Sequence, residues 1–291
     1  MKITIPARAD APKTTIFVEI LKKGSHLGSR QVTLMVPGGP GGNHAVYDSI
    51  KNDLLELSDL ILFDPRGCGY SEYSSPEFCS LNHYINDIDA IRKYFNLSEI
   101  NLMGGSYGAI ASLGYAIQYK ENIKRLLLIA GVTSYRFIET AKNNLKKRGT
   151  LEQIKAAEDL WNGTFRDAQH FSEYYKIMSS LYIYNKNNGN ALPPTTKPNI
   201  PYNIEITNYG FSKFLRDFDF ESCLQDISCE TLILSGRNDW INDSSHATLM
   251  ADKIPNNKLV ILENCGHFIW EDQREKFMKA IIKFLSEKRG C

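Results

Sequence analysis

Apolar positions along this chain fall into two alternating rhythms. Runs rich in β-branched residues recur at 14–21 (TTIFVEIL), 31–36 (QVTLMV), 57–63 (LSDLILF), 100–103 (INLM) and 125–130 (RLLLIA), and again at 231–235 (TLILS) and 258–263 (KLVILE). Several are apolar at consecutive positions, as strands covered on both faces of a sheet must be. Between them the spacing changes to steps of three and four, through Tyr84, Ile88, Ile91 and Phe95, then Ile110, Leu113 and Ile117, and finally Phe277, Ile281 and Phe284. That is the repeat of a helix with one buried stripe. Strands alternating with helices predict an α/β fold built on a mostly parallel twisted sheet flanked by helices.

The alternation breaks between residues 132 and 216. SYRFIETAKNNLKKRG reads as a helix closing at Gly149, Thr150 and Gln153 form a capping box for the next, and FSEYYKIMSSLYIY is a third, unusually aromatic one. A long Pro/Asn-rich loop follows at 185–203. The expected organisation is therefore a core from residues 1–131 and 217–291, interrupted by a helical cap, or lid, at 132–216.

Composition narrows the function classes. A chain of 291 residues with 43% hydrophobic and 23% charged residues is ordinary globular material, and a formal net charge of +1 offers no field for nucleic acid or an anionic membrane. No apolar stretch is long enough to span a bilayer, and MKITIPARADAPK lacks the apolar run of a secretory signal. The six cysteines form no CxxC pair or zinc-type spacing, so reduced thiols in a cytoplasmic protein are expected, with no metal.

Candidate chemistry centres on NLMGGSYGAI, residues 101–110. Gly104-x-Ser106-x-Gly108, between a strand and a helix, fits a nucleophile elbow, whose strained turn leaves no room for side chains beside the serine. PGGPGGNH at 37–44 follows a strand and frees backbone N–H groups, but no Lys-Ser/Thr pair follows as a phosphate loop requires. Gly39 and Tyr107 are the expected oxyanion donors. His267, after the last strand, is the expected base, with His44 the runner-up and His246 read as a surface residue of a helix. Asp239, straight after TLILS, is the expected acid, with Asp243 a substitute. Ser106, Asp239 and His267 then stand in the chain order of a hydrolase triad. Arg66 is read as bracing neighbouring loops, and the aromatic cap residues Trp161, Tyr174, Tyr175, Tyr182 and Tyr184 as packing.

Taken together, PGGPGG, FDPRGCGYS, GGSYGA, SGRND and CGH resemble the proline iminopeptidase group of the α/β-hydrolases, serine peptidase family S33, over residues 30–131 and 217–285. The usual forms are HGGPG, DQRGxGxS, GGSxG, GxxD and GH. The resemblance implies an eight-stranded sheet, a helical cap inserted after the sixth strand, and removal of an N-terminal residue without cofactor or metal. Pro37 and Pro65 depart from the pattern in loops. Trp240 and Lys213 stand where some members carry acids for the substrate ammonium, so Trp240 is expected at the acyl pocket and Lys213 would favour a carboxylate. Glu205, Asp217 or Asp219 could restore a negative charge. An aminopeptidase on short peptides or amino-acid amides is the first expectation, an esterase or lactonase the second, and a catalytically silent binding protein the alternative of another class. The partner is a small substrate, with no nucleic acid and no membrane; the oligomeric state is open.

Overall fold

In the computed structural model, residues 1–185, 200 and 202–287 are described; most of the Pro/Asn-rich stretch and Cys291 lie outside them. Eight strands form one sheet in the order β1-β2-β4-β3-β5-β6-β7-β8. They are β1 (Lys2–Ile5), β2 (Thr14–Leu21), β3 (Val32–Val36), β4 (Asp59–Phe63), β5 (Ile100–Gly105), β6 (Ile123–Ile129), β7 (Glu230–Gly236) and β8 (Asn257–Leu262). β2 pairs antiparallel with both β1 and β4, and from β4 to β8 in that order every pairing is parallel. Every residue of β3, β4 and β5 is buried, whereas β1 alternates between exposed and buried, as an edge strand does. The α/β fold on a mostly parallel sheet expected from the alternating pattern is the one observed.

Among the described residues ten α-helices accompany the strands: α1 (Lys51–Leu55), α2 (Leu81–Tyr94), α3 (Tyr107–Gln118), α4 (Phe137–Arg148), α5 (Leu151–Asn162), α6 (Ala168–Tyr182), α7 (Ile204–Ser212), α8 (Ser244–Lys253), α9 (Ile269–Asp272) and α10 (Arg274–Ser286). α3 packs on β5 and β6 with α2 against it, while α8 and α10 pack on β7. α5 begins with the complete capping box: Gln153 N–H donates to Thr150 Oγ1, and Thr150 N–H to Gln153 Oε1.

Helices α4 to α7 all lie between β6 and β7, after the sixth strand. The chain enters and leaves this segment at one place. Ser134 bridges Asp219, Tyr135 N–H donates to Phe218 O at 2.9 Å, and Phe220 N–H donates to Thr133 O at 2.9 Å. Residues 133–135 and 218–220 are thus held side by side. α7, with its β-branched residues and a glycine, was not foreseen as a helix; Asn203 caps it by accepting from Ile206 N–H at 3.0 Å.

Candidate active site

Ser106 sits between the last residue of β5 and the first of α3, with φ of 56° and ψ of −120°. For a residue with a Cβ this conformation costs on the order of 1–3 kcal/mol and needs its surroundings to hold it. The surroundings are tight. A Cβ on Gly104 would come within 2.2 Å of Gly108 O, and one on Gly108 within 2.1 Å of Val36 O, so only glycine fits at either position. Ser106 N–H donates to Ile129 O at 2.8 Å, pinning the turn to the end of β6.

Asp239 follows β7 and is completely buried. One carboxylate oxygen accepts the N–H groups of Ile241 and Asn242, each at 3.0 Å; the other faces His267 Nδ1 at 2.7 Å. The imidazole is therefore oriented through Nδ1, with Nε2 on its far side. The backbone around it is fixed from two directions. His267 N–H donates to Tyr182 O at 2.8 Å, at the end of α6, and Gly266 N–H to Asp272 Oδ2 at 2.7 Å. The same Asp272 carboxylate accepts from Tyr184 N–H at 2.9 Å and Asn185 N–H at 2.8 Å. Asp272 was not singled out from the sequence; its one signal was a carboxylate five residues beyond the histidine.

The rival bases and acid are engaged elsewhere. His44 Nδ1 lies 2.6 Å from Asp64 Oδ1, which also accepts the His44 N–H. Asp243 caps α8 through Ser245 N–H and accepts from Asn144 Nδ2. Hydrogen bonding in that cap and to Asn144 holds its carboxyl below the usual range against the opposing effect of burial. His246 lies on α8 as expected, but it is buried, at 7% exposure, and burial depresses its pKa; the surface reading is corrected by its inward-facing position on α8.

Between β3 and the turn at His44–Tyr47, the Gly/Pro loop adopts conformations that glycine tolerates, with φ of 149° at Gly39 and 92° at Gly41. Among the described residues, neither Gly39 N–H nor Tyr107 N–H has an acceptor, the second because it opens a helix. Tyr47 fastens this loop to the elbow: its buried hydroxyl donates to Val36 O and accepts from Gly105 N–H. The helical segment fastens it from above, through Asn203 N–H to Gly41 O at 2.9 Å and Thr207 Oγ1 to Pro40 O at 2.8 Å.

Ser106, His267, Gly39 and Tyr107 line one cavity. Ser106 Oγ makes no hydrogen bond to a described group. Aromatic rings from the helical segment, Phe171, Tyr175, Tyr182 and Phe211 among them, form much of the wall, joined by Phe268 and Trp270. The packing expectation for the cap aromatics therefore divides. Tyr175 and Tyr182 face the cavity, Trp161 and Tyr174 pack behind, and Tyr184 is exposed.

None of the three expected substrate contacts reaches this wall. Trp240 is completely buried, its ring packed edge-on against Trp161 and Tyr182, so it supports the wall rather than forming it. Lys213 is exposed at the end of α7. Glu205 is exposed on the same helix beside the Tyr73 hydroxyl. Asp217 is exposed, and Asp219 pairs with Arg136 at 2.8 Å. Arg66 grips Asp87 through two nitrogens and the Pro12 carbonyl, the bracing role expected of it. Asn43, Tyr202, Thr207 and Asn242 line the cavity and were missed, although Asn242 lies only three residues beyond Asp239. Among the described residues no cluster of three or more His, Cys, Asp or Glu could hold a metal, and no helix is long and apolar enough to cross a membrane.

A nearly parallel eight-stranded sheet, a strained serine between β5 and α3, and a buried carboxylate–imidazole pair at the ends of β7 and β8 define a class. Residues 32–273 match the family described as alpha/beta hydrolase fold, and the chain belongs to that family. Its curated relatives include the proline iminopeptidase of Thermoplasma volcanium, 26% identical over 86% of this chain and 87% of that protein. Proline iminopeptidase PfmaB of Pestalotiopsis fici is 28% identical over 93% of this chain and 99% of that protein. Among solved structures, the proline iminopeptidase of Mycobacterium smegmatis superposes with a TM-score of 0.68 at 16% identity, covering 98% of this chain and 97% of that one, a likeness of fold.

Proposed function

We propose that this hydrolase works through a serine nucleophile and an acyl-enzyme. The carrying observation is that Ser106, strained at its elbow, opens into the same cavity as His267, whose Nδ1 is held by the buried Asp239. In this reading His267 Nε2 takes the proton from Ser106 Oγ as the oxygen attacks the substrate carbonyl carbon. Asp239 stabilises the imidazolium that results. The carbonyl oxygen, now negative, is received by the N–H groups of Gly39 and Tyr107, which have no competing partner among the described residues. The tetrahedral adduct collapses, and His267 returns the proton to the departing nitrogen or oxygen. A water molecule then attacks the ester on Ser106 by the same route, releasing the acid and restoring the hydroxyl. No cofactor is required in this sequence.

Residues 132–216 act in this proposal as a cap over the site, a reading supported by the shared neck at 133–135 and 218–220 and by the rings that α6 and α7 contribute to the cavity. The first substrate form is an aminopeptidase on short peptides or amino-acid amides, supported by the names of the curated relatives. A second form, an esterase or lactonase on small molecules, is favoured by a cavity wall without Asp, Glu, Lys or Arg among its lining residues. The five described cysteines are free thiols, which suits a reducing, cytoplasmic setting.

Hydrolysis of prolyl- and alanyl-aminomethylcoumarin beside short p-nitrophenyl esters, with Ser106→Ala as control, tests the reading. Loss of the nucleophile should lower the rate by several powers of ten. A fluorophosphonate probe that fails to label Ser106 in folded protein would overturn it in favour of a silent binding protein.

A further inference from the structure

Every carboxylate side chain of this protein can be placed, because residues 186–199, 201 and 288–291 contain no aspartate or glutamate. None lines the cavity that holds Ser106 and His267, and no described lysine or arginine does either. The nearest acid in function, Asp239, is fully buried with both oxygens already accepting hydrogen bonds. Glu205, the acid on the capping helix α7, is exposed, and Asp64 is turned to His44. Among the described residues, the polar groups that remain on the wall carry no Asp, Glu, Lys or Arg charge. Asn242 offers an amide whose nitrogen is committed to Ala130 O, and burial pushes the phenols of Tyr182 and Tyr202 well above their usual value, so they do not supply a phenolate.

An ammonium moved from water into such a wall loses its hydration with no carboxylate in return, and its charged form is disfavoured. The chemistry adds to the penalty. If His267 takes up the serine proton, a second positive charge develops in the same cavity during attack. Hydrogen bonds from neutral oxygens remain open to an amine that has already lost its proton.

We infer that the acyl half of the substrate occupies this cavity without a positive charge, either lacking an amine or carrying it unprotonated. The inference rests on the serine-hydrolase reading for its account of turnover, while the cavity's preference can be measured apart from it.

The test compares kcat/KM for prolyl-aminomethylcoumarin and its uncharged analogue cyclopentanecarbonyl-aminomethylcoumarin from pH 6 to 9. Whatever protonation events of the enzyme affect both substrates alike cancel in their ratio. At pH 6 the uncharged analogue should be faster by at least about ten-fold. The prolyl rate relative to it should then climb about ten-fold per pH unit and level near the amine pKa of about 8. A prolyl substrate that is faster at pH 6, or a ratio that stays flat across the range, overturns the inference. Binding of cyclopentanecarboxamide and prolinamide to Ser106→Ala at pH 6, read by tryptophan fluorescence, supplies an arm independent of turnover. Tighter binding of the uncharged amide supports the inference, and equal or tighter binding of prolinamide overturns it. Undiminished turnover by Ser106→Ala would sink the serine-hydrolase reading alone.

Discussion

Replacing Asp239 by asparagine should disable the site while leaving the fold in place, and the structure says which way the new amide turns. The oxygen that accepts from both Ile241 N–H and Asn242 N–H must remain an oxygen, since an NH2 group there would confront two donors in a fully buried position. The amide nitrogen is therefore directed at His267 Nδ1, 2.7 Å away in the native protein. It can only donate, so Nδ1 becomes the acceptor and the ring proton moves to Nε2. An imidazole in that tautomer cannot take the proton of Ser106. Where this tautomer exchange has been made in a serine protease the loss is about 10⁴-fold in kcat, equivalent to roughly 5.5 kcal/mol. We expect a loss of 10³- to 10⁴-fold here (order of magnitude). KM should change by a few-fold at most, because Asp239 does not line the cavity. The assay is steady-state hydrolysis of whichever substrate the wild type turns over, with thermal unfolding in parallel. A kcat reduced less than ten-fold, with the melting temperature held, would refute the assignment of Asp239 as the group that sets the imidazole.

Gly108→Ala should cost about 3 kcal/mol or more of stability in urea unfolding, because its Cβ would lie 2.1 Å from Val36 O and 2.8 Å from Pro37 O, both backbone atoms that cannot step aside. Asp272→Asn should lower kcat as well as the melting temperature: the amide oxygen can keep the two donors shared by Oδ2, Gly266 and Tyr184, but its NH2 then faces Asn185 N–H, a loss of about 1–3 kcal/mol next to His267. An unchanged kcat would mean that Asp272 serves the fold alone. For His246 the sign follows from its depressed pKa, caused by burial and opposed by Asp243, Glu221 and Asp239. The unfolded chain binds the proton more readily, so stability is retained above an unfolded pKa of about 6.5 and is lost as pH falls below it. Urea unfolding at pH 7.5 and 5.5 should show a smaller decline in His246→Gln than in the wild type; an equal decline would show that His246 is not responsible.

What could be read in the sequence, and what could not, separates along the reach of the interaction. Of the seven strands read from the sequence, β3 to β7 were legible because burial on both faces writes continuous apolar runs and β2 and β8 by their β-branched and aliphatic content, and the elbow was legible because Gly104 and Gly108 are demanded by atoms only a few residues away or on the adjoining strand. The eighth strand, Lys2–Ile5, was missed since four residues with two buried positions hardly stand out, and its partner lies on one side only. The cap's chemistry was illegible for another reason. Successive residues of a helix point about 100° apart, so on α7 Glu205 faces solvent while Ile206 and Thr207 face inward, and tertiary contacts, among them the docking of Asn203 and Thr207 onto the Gly/Pro loop, fix that rotation. A motif could therefore mark Lys213 and Trp240 as occupying positions of interest without revealing that one is in solvent and the other behind Tyr182. The same geometry explains why the wall's neutrality emerged only in three dimensions. Its polar members, Asn43, Thr207 and Asn242, come from three separate segments, and no spacing along the chain connects them. The lining of the cavity is thus assembled from separate segments, and the backbone around Ser106 and His267 is likewise pinned by groups remote in the chain, Ile129 O and Tyr182 O.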